Sequence, residues 1–143
     1  MASIKEFLTQ DHRACDEAFA QMEESVAQKS HDAIAKFEGF HAAMMHHFDM
    51  EEKVMFPAFE EKTGMTQGPT QVMRMEHEQM RKLMTQMVEA IGTNDTNKFF
   101  GLSETLMILM QQHNMKEEQM LYTMAQQHLG ADADVLIKEM EAV

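Results

Sequence analysis

An all-α fold, an antiparallel up-down four-helix bundle with a short C-terminal helix, is predicted by three features of this 143-residue chain. Apolar residues recur at spacings of three and four through four long segments. Gly and Pro gather where those segments stop, at Gly64 to Pro69, Gly92 and Gly130. Strand-like alternation is almost absent, and short turns between long amphipathic helices leave sequence neighbours antiparallel.

The first helix opens at Ser3, with Glu6 three residues later in the pattern of a capping box, and its inward seam reads Ile4, Leu8, His12, Cys15, Phe19, Met22, Val26. A second begins near Ser30 with the seam Ala33, Phe37, Phe40, Met44, His47, Glu51, Val54, Ala58. Pro57 lacks an N–H and is expected to kink or end it. Gly68-Pro69 start the third, since Pro at the first helical position sacrifices no hydrogen bond, and its seam is Met73, His77, Met80, Met84, Met87, Ile91. The turn Gly92-Thr93-Asn94-Asp95 leads into the fourth, with the seam Phe99, Leu102, Leu106, Leu109, His113, Glu117, Met120, Met124 and an expected left-handed stop at Gly130. A short last helix, Asp132 to Glu141, offers Val135, Leu136 and Met140 for docking.

Composition narrows the function. With 44% hydrophobic and 25% charged residues, residues 1–143 are expected to form one globular domain. No stretch is apolar for long enough to span a membrane, and the N-terminus has no apolar signal core, so the expected compartment is the cytoplasm. A formal charge of −12 repels phosphate backbones and anionic lipid surfaces, which argues against nucleic-acid and membrane partners. Cys15 is the only cysteine, so neither an internal disulfide nor a thiolate zinc site can form.

Each long seam is interrupted by polar residues where a bundle demands apolar ones: His12, His47 with Glu51, His77, and His113 with Glu117. An unpaired carboxylate in a low-dielectric core is costly, and no Lys or Arg lies on these seams, so a bound cation is the natural counter-charge. His and Glu four apart share a helix face and reach the same ion. The arrangement also repeats. His12 precedes His47 by 35 residues and His77 precedes His113 by 36; each second His is followed by Glu-Glu at +4 and +5, an aromatic at +9 (Phe56, Tyr122) and Gly at +17. Two helical hairpins of one design therefore face a shared centre.

Four imidazoles and two carboxylates suit two ions better than one. His12 and His47 serve one, His77 and His113 the other, and Glu51 and Glu117 bridge them. A bridging oxo or hydroxo group leaves one octahedral position free on each ion for a small molecule. Two divalent ions, two glutamates and one hydroxide sum to about +1, a tolerable core charge. Nitrogen and oxygen donors favour iron, with manganese or zinc next, over Cu(I).

At these residues the chain resembles the hemerythrin-like family, the HHE cation-binding domains, in its pattern His, His-x-x-x-Glu, His, His-x-x-x-Glu. The strings from His47 through Glu51-Glu52 to Phe56-Pro57, Glu76-His77-Glu78, and His113 through Glu117-Glu118 are similar to family signatures. The likeness spans about Ile4 to Leu129 and implies a left-handed up-down bundle around a non-heme di-iron centre ligated by those six residues. Oxygen-carrying members have an extra histidine one turn before the third-helix ligand, where this chain has Met73. Four-histidine members resemble proteins of iron-cluster repair, nitric oxide handling, or iron and oxygen sensing.

The expected function is binding of dioxygen, peroxide or nitric oxide at two iron ions. The alternatives are an iron donor or sensor acting through a protein partner, or a di-iron peroxide or nitric oxide oxidoreductase, either with a redox or iron-acceptor partner. His31, His41, His46 and His128 fall off the pattern and read as surface residues. The 18 methionines read as core filling rather than copper ligands, because Met44, Met73, Met80, Met84, Met110, Met120 and Met124 lie on or beside the seams. Cys15 reads as a small buried hydrophobe. Asp11, Asp16, Glu52, Glu76 and Glu118 are candidates to orient the imidazoles, and Tyr122 either reaches the pocket or packs.

Overall fold

The computed structural model describes residues 2–143; Met1, the head of the expected domain, lies outside the described residues. Helix α1 (Ile4–Ala27) is followed by α2 (Ala33–Asp49), which continues through a π-helical turn (Met50–Met55) into α3 (Phe56–Thr63). Then come α4 (Pro69–Gly92) and α5 (Thr96–Lys116), the latter continuing through a second π turn (Glu117–Leu121) into α6 (Tyr122–Leu129). A 3-10 turn (Gly130–Asp132) leads to α7 (Ala133–Ala142). The bundle thus has four rods, α1, α2–α3, α4 and α5–α6, with α7 laid against the first π turn and α1. α1 packs on α2 and α4 on α5 as two hairpins, which meet through α2 with α4 and α1 with α6.

Local chemistry sets the ends. Ser3 Oγ accepts from Glu6 N at 3.1 Å, and Asp95 Oδ1 accepts from Lys98 N at 3.1 Å to start α5. The Ile4 N–H, another free donor of the first turn, donates to Gln126 Oε1 of α6 at 2.8 Å. Gly64 stops α3 with φ +75°, a left-handed residue that favours glycine. Gly130 does not repeat it. Its φ of −56° is right-handed, and the chain runs on through the 3-10 turn instead of reversing. A Cβ there would lie 3.0 Å from Gln126 Nε2, so this glycine makes room for the side chain that caps α1.

The buried seam of α1 is the expected one with Ser25 added. On α4 the last inward residue is Ala90 rather than Ile91, and on α5 Ser103 and Met110 replace Leu102 and Leu109 at the centre. Ser103 is tolerated there because its hydroxyl donates to Glu23 of α1. Pro57 does not end its helix: the preceding π turn widens the ladder, and Phe56-Pro57 begin α3 without a break. The second π turn overturns one seam assignment. Inserting an extra residue rotates the positions beyond it, so Met120 is 61% exposed while Leu121 is 1% exposed. On α7, Ala133 faces inward with Leu136 and Met140, whereas Val135 is 59% exposed.

The core has two storeys. One apolar cluster includes Ile4, Leu8, Met50, Phe56, Phe59, Met73, Leu121 and Tyr122; the other includes Cys15, Phe19, Phe40, Met44, Met80, Met84, Phe99, Leu106 and Met110. His12, His47, Glu51, His77, His113 and Glu117 fall between them along the four rods, all buried. No helix among the described residues is long and apolar enough to cross a membrane. The register shift predicts that Leu121→Ala costs about 2–5 kcal/mol in denaturant unfolding. Met120→Ala should stay within about 0.5 kcal/mol.

Candidate metal centre

The structure brings the six expected side chains into two overlapping sets of four, His12, His47, Glu51 and Glu117 in one and Glu51, His77, His113 and Glu117 in the other. Within each set the candidate ligand atoms all lie within 4.8 Å of one another. Glu51 divides its oxygens between the sets: Oε2 is 3.4 Å from His47 Nε2 and Oε1 is 3.0 Å from His77 Nε2. Glu117 Oε1 is 3.0 Å from His12 Nε2 and 3.2 Å from His113 Nε2. Each carboxylate thus spans its own hairpin and the other one.

The outer nitrogen of every ring is occupied. His12 Nδ1 pairs with Glu118 at 2.8 Å, His47 Nδ1 with Asp11 at 2.7 Å, His77 Nδ1 with Glu52 at 2.5 Å and His113 Nδ1 with Glu76 at 2.8 Å. These obey one rule in both halves. The first histidine of a hairpin donates to the second glutamate of the opposite hairpin's Glu-Glu doublet. The second histidine donates to the residue just before the first. Glu52 in turn meets Arg81 at 3.1 Å, Glu118 meets Arg13 at 3.3 Å, and Glu76 meets Lys116. Of the five acidic residues suggested by the sequence, Asp16 alone makes no hydrogen bond to a ring among the described residues. His31 and His128 are exposed, and His41 and His46 are half-buried outside the cluster.

With Nδ1–H donated outward, a neutral imidazole presents only a lone pair at Nε2, facing carboxylate oxygens that are acceptors too. Among the described residues, Glu51 Oε1, Glu117 Oε2, His77 Nε2 and His113 Nε2 have no hydrogen-bond partner; the short His77–Glu51 and His113–Glu117 approaches are not aligned as hydrogen bonds. Convergent buried acceptors without a donor fit a cation, and two imidazoles with two carboxylates per set fit a first-row metal.

Protein groups alone answer this arrangement by taking up protons. Burial pulls the His113 imidazole down, but the nearby Glu117 charge and the hydrogen bond to Glu76 carry it up to about 9. His47 is likewise held well above its ordinary value against burial, by Glu51, Asp11 and Glu117, and His77 is raised by Glu51 and Glu52. Burial pushes the Glu117 carboxyl up, yet the charge of His113, the hydrogen bond from His12 and the nearness of His47 hold it well below the usual carboxylate range. Burial drives the Cys15 thiol up to about 12, the behaviour of an inert core residue.

Outside the six, Tyr122 brings a polar atom to the centre. The Tyr122 hydroxyl lies 3.1 Å from His12 Nε2, 3.3 Å from His47 Nε2 and 3.0 Å from Glu117 Oε1, and donates to Glu51 Oε2. Its place in the hairpin repeat was the available signal, but in an unbroken α-helix a residue five past Glu117 points away. The π turn brings it round.

Fold and site together define a helical-bundle protein with a buried His/Glu cluster fit for metal cations. The hemerythrin HHE cation-binding domain model matches residues 3–125, most of the chain, which therefore belongs to that family. No curated protein and no solved structure matches it.

The raised imidazoles give a signed pH prediction. A group raised from 6.5 to about 9 stabilises the fold fully below the lower value and ceases to as pH climbs through the higher. Chelator-stripped protein should therefore lose thermal stability between about pH 6.5 and 9, whereas metal-loaded protein should gain over that interval, because protons compete with the ion. Parallel melting curves check this; identical pH trends would refute it.

Proposed function

We propose that this chain is a non-heme di-iron protein in which His12 and His47 hold one ion, His77 and His113 the other, and Glu51 and Glu117 bridge them with an oxo or hydroxo group. When bound, such a pair supplies redox chemistry and open positions for dioxygen, peroxide or nitric oxide. Four buried, partnerless acceptor atoms on Glu51, Glu117, His77 and His113 are the observation that carries the reading. Manganese or zinc would satisfy the same donors.

The chain's own residues do the positioning. Asp11, Glu52, Glu76 and Glu118 fix each ring with its Nε2 lone pair inward. Phe48 stacks on His77 with centroids 4.0 Å apart, and the apolar clusters on either side exclude water. We further propose the cytoplasm as its compartment, a small diatomic or peroxide as ligand and a redox or iron-acceptor protein as partner, with no role in nucleic-acid or membrane binding.

Metal analysis of protein expressed with ample iron is expected to give about two irons per chain, two being the number its donors satisfy. A full complement of zinc, or no metal, would remove the redox reading. Glu51→Ala should deplete both positions at once while His31→Ala changes neither; equal effects would reject the ligand scheme. Anaerobic reduction followed by O₂, H₂O₂ or NO separates the outcomes: an adduct that reverses on degassing marks a carrier, multiple turnover an oxidoreductase, and iron loss to an acceptor a donor.

A further inference from the structure

The two hairpins repeat each other in their histidines, their Glu-Glu doublets and their outer carboxylates, but not in the aromatic residue five past the inward glutamate. Tyr122 stands after Glu117, and Phe56 stands at the matching place after Glu51. Both are fully buried and both come directly after a π turn. The difference is a single oxygen atom, and the structure shows where it goes. The hydroxyl contacts one atom from each of His12, His47, Glu51 and Glu117, the whole of one candidate set. The four partnerless acceptor atoms lie on the residues of the other set, two on its own histidines and two on the glutamates common to both, and Phe56 and Phe48 beside His77 present only ring carbon.

Adjacent donors on a six-coordinate ion with bonds of about 2.1 Å lie about 3.0 Å apart. The Tyr122 oxygen sits at 3.0, 3.1 and 3.3 Å from three of its four neighbours, and closer to Glu51 Oε2, to which it donates. The hydrogen-bonded spacing seen here is also the spacing that a fifth donor to the same ion requires. Resting on the di-iron reading above, we propose that the Tyr122 phenol oxygen is a seventh protein ligand, bound to the ion shared by His12 and His47. The position for a small exogenous ligand then lies on the ion shared by His77 and His113. Ligation breaks the phenolic O–H bond heterolytically: the electron pair stays on oxygen and binds the ion, the proton leaves to a buffer base, and no electron is transferred.

The chain tests this cleanly because Tyr122 is its only tyrosine and it has no tryptophan. Ferric wild-type protein, with its iron content measured independently, should show a visible phenolate-to-iron charge-transfer band. Resonance Raman excitation in that band should give ring modes that shift when the protein is grown on ring-deuterated tyrosine. In Tyr122→Phe the band and those modes should be lost with two irons retained. Azide, an anionic probe for the exogenous position, should bind wild-type protein without removing the phenolate modes. Two irons with no deuterium-sensitive modes would overturn the proposal and leave the di-iron reading intact; azide displacing the phenolate would overturn the placement of the exogenous position on the ion shared by His77 and His113. Wild-type protein that takes up no iron would sink both. Should Tyr122→Phe fail to fold, the isotope shift in wild-type protein still decides.

Discussion

Two carboxylates with no solvent exposure at the middle of a helical bundle set the terms for every other contact in the protein. Removing a charge from water costs several kcal/mol, more than local packing returns, so Glu51 and Glu117 persist only if opposite charge meets them inside. The structure answers in shells of alternating character. Inner carboxylates face imidazoles, the imidazoles donate to half-buried carboxylates, and those of Glu52, Glu76 and Glu118 meet Arg81, Lys116 and Arg13 at the surface. The apolar core is divided into two clusters because this polar layer passes between them.

The same contacts tie the hairpins together. His12 of the first hairpin is held by Glu117 and Glu118 of the second, and His77 of the second by Glu51 and Glu52 of the first. A cation shared across them is therefore a cross-brace between halves, and its binding energy counts toward folding. The His77 ring is held by packing as well. Phe48 and Phe56 both stack on it, and Arg81 and Arg74 lie 5.1 and 5.2 Å from the centres of those two phenyl rings. Those arginines are themselves fixed by Glu52 and Glu60, so the ring's orientation is set by packing as well as by hydrogen bonds.

Most of this was legible in the sequence because a polar residue on an apolar stripe is conspicuous against helical periodicity. The seam of α1 could be read almost residue for residue, and the hairpin repeat placed the six inward side chains in their two sets. What escaped were departures from ideal geometry. Ile91 gives way to Ala90, and Leu102 and Leu109 to Ser103 and Met110, through small rotations that residue type does not encode. Gly130 matched Gly64 by spacing, yet one is left-handed and the other a right-handed cradle for Gln126. Met120 went astray because it was placed by extending an ideal ladder past Glu117, and the same ladder left Tyr122 open between reaching the pocket and packing; it reaches the pocket.

The π turns explain why that ladder cannot be extended. At 100° per residue, the position five past an inward glutamate would lie about 140° away around the helix, facing solvent or a flank. An i→i+5 ladder brings that position back beneath the glutamate, and both turns occur directly at Glu51 and Glu117. Proline is not their common cause, because Pro57 comes after only the first. What they share is the result: each adds an inward aromatic to the layer of glutamates and histidines, Phe56 in one half and Tyr122 in the other. A regular bundle would offer the centre only the six residues of the His and Glu pattern. The irregularity is what admits a further side chain to each half, and the choice between phenyl and phenol there makes two otherwise matched positions chemically unequal.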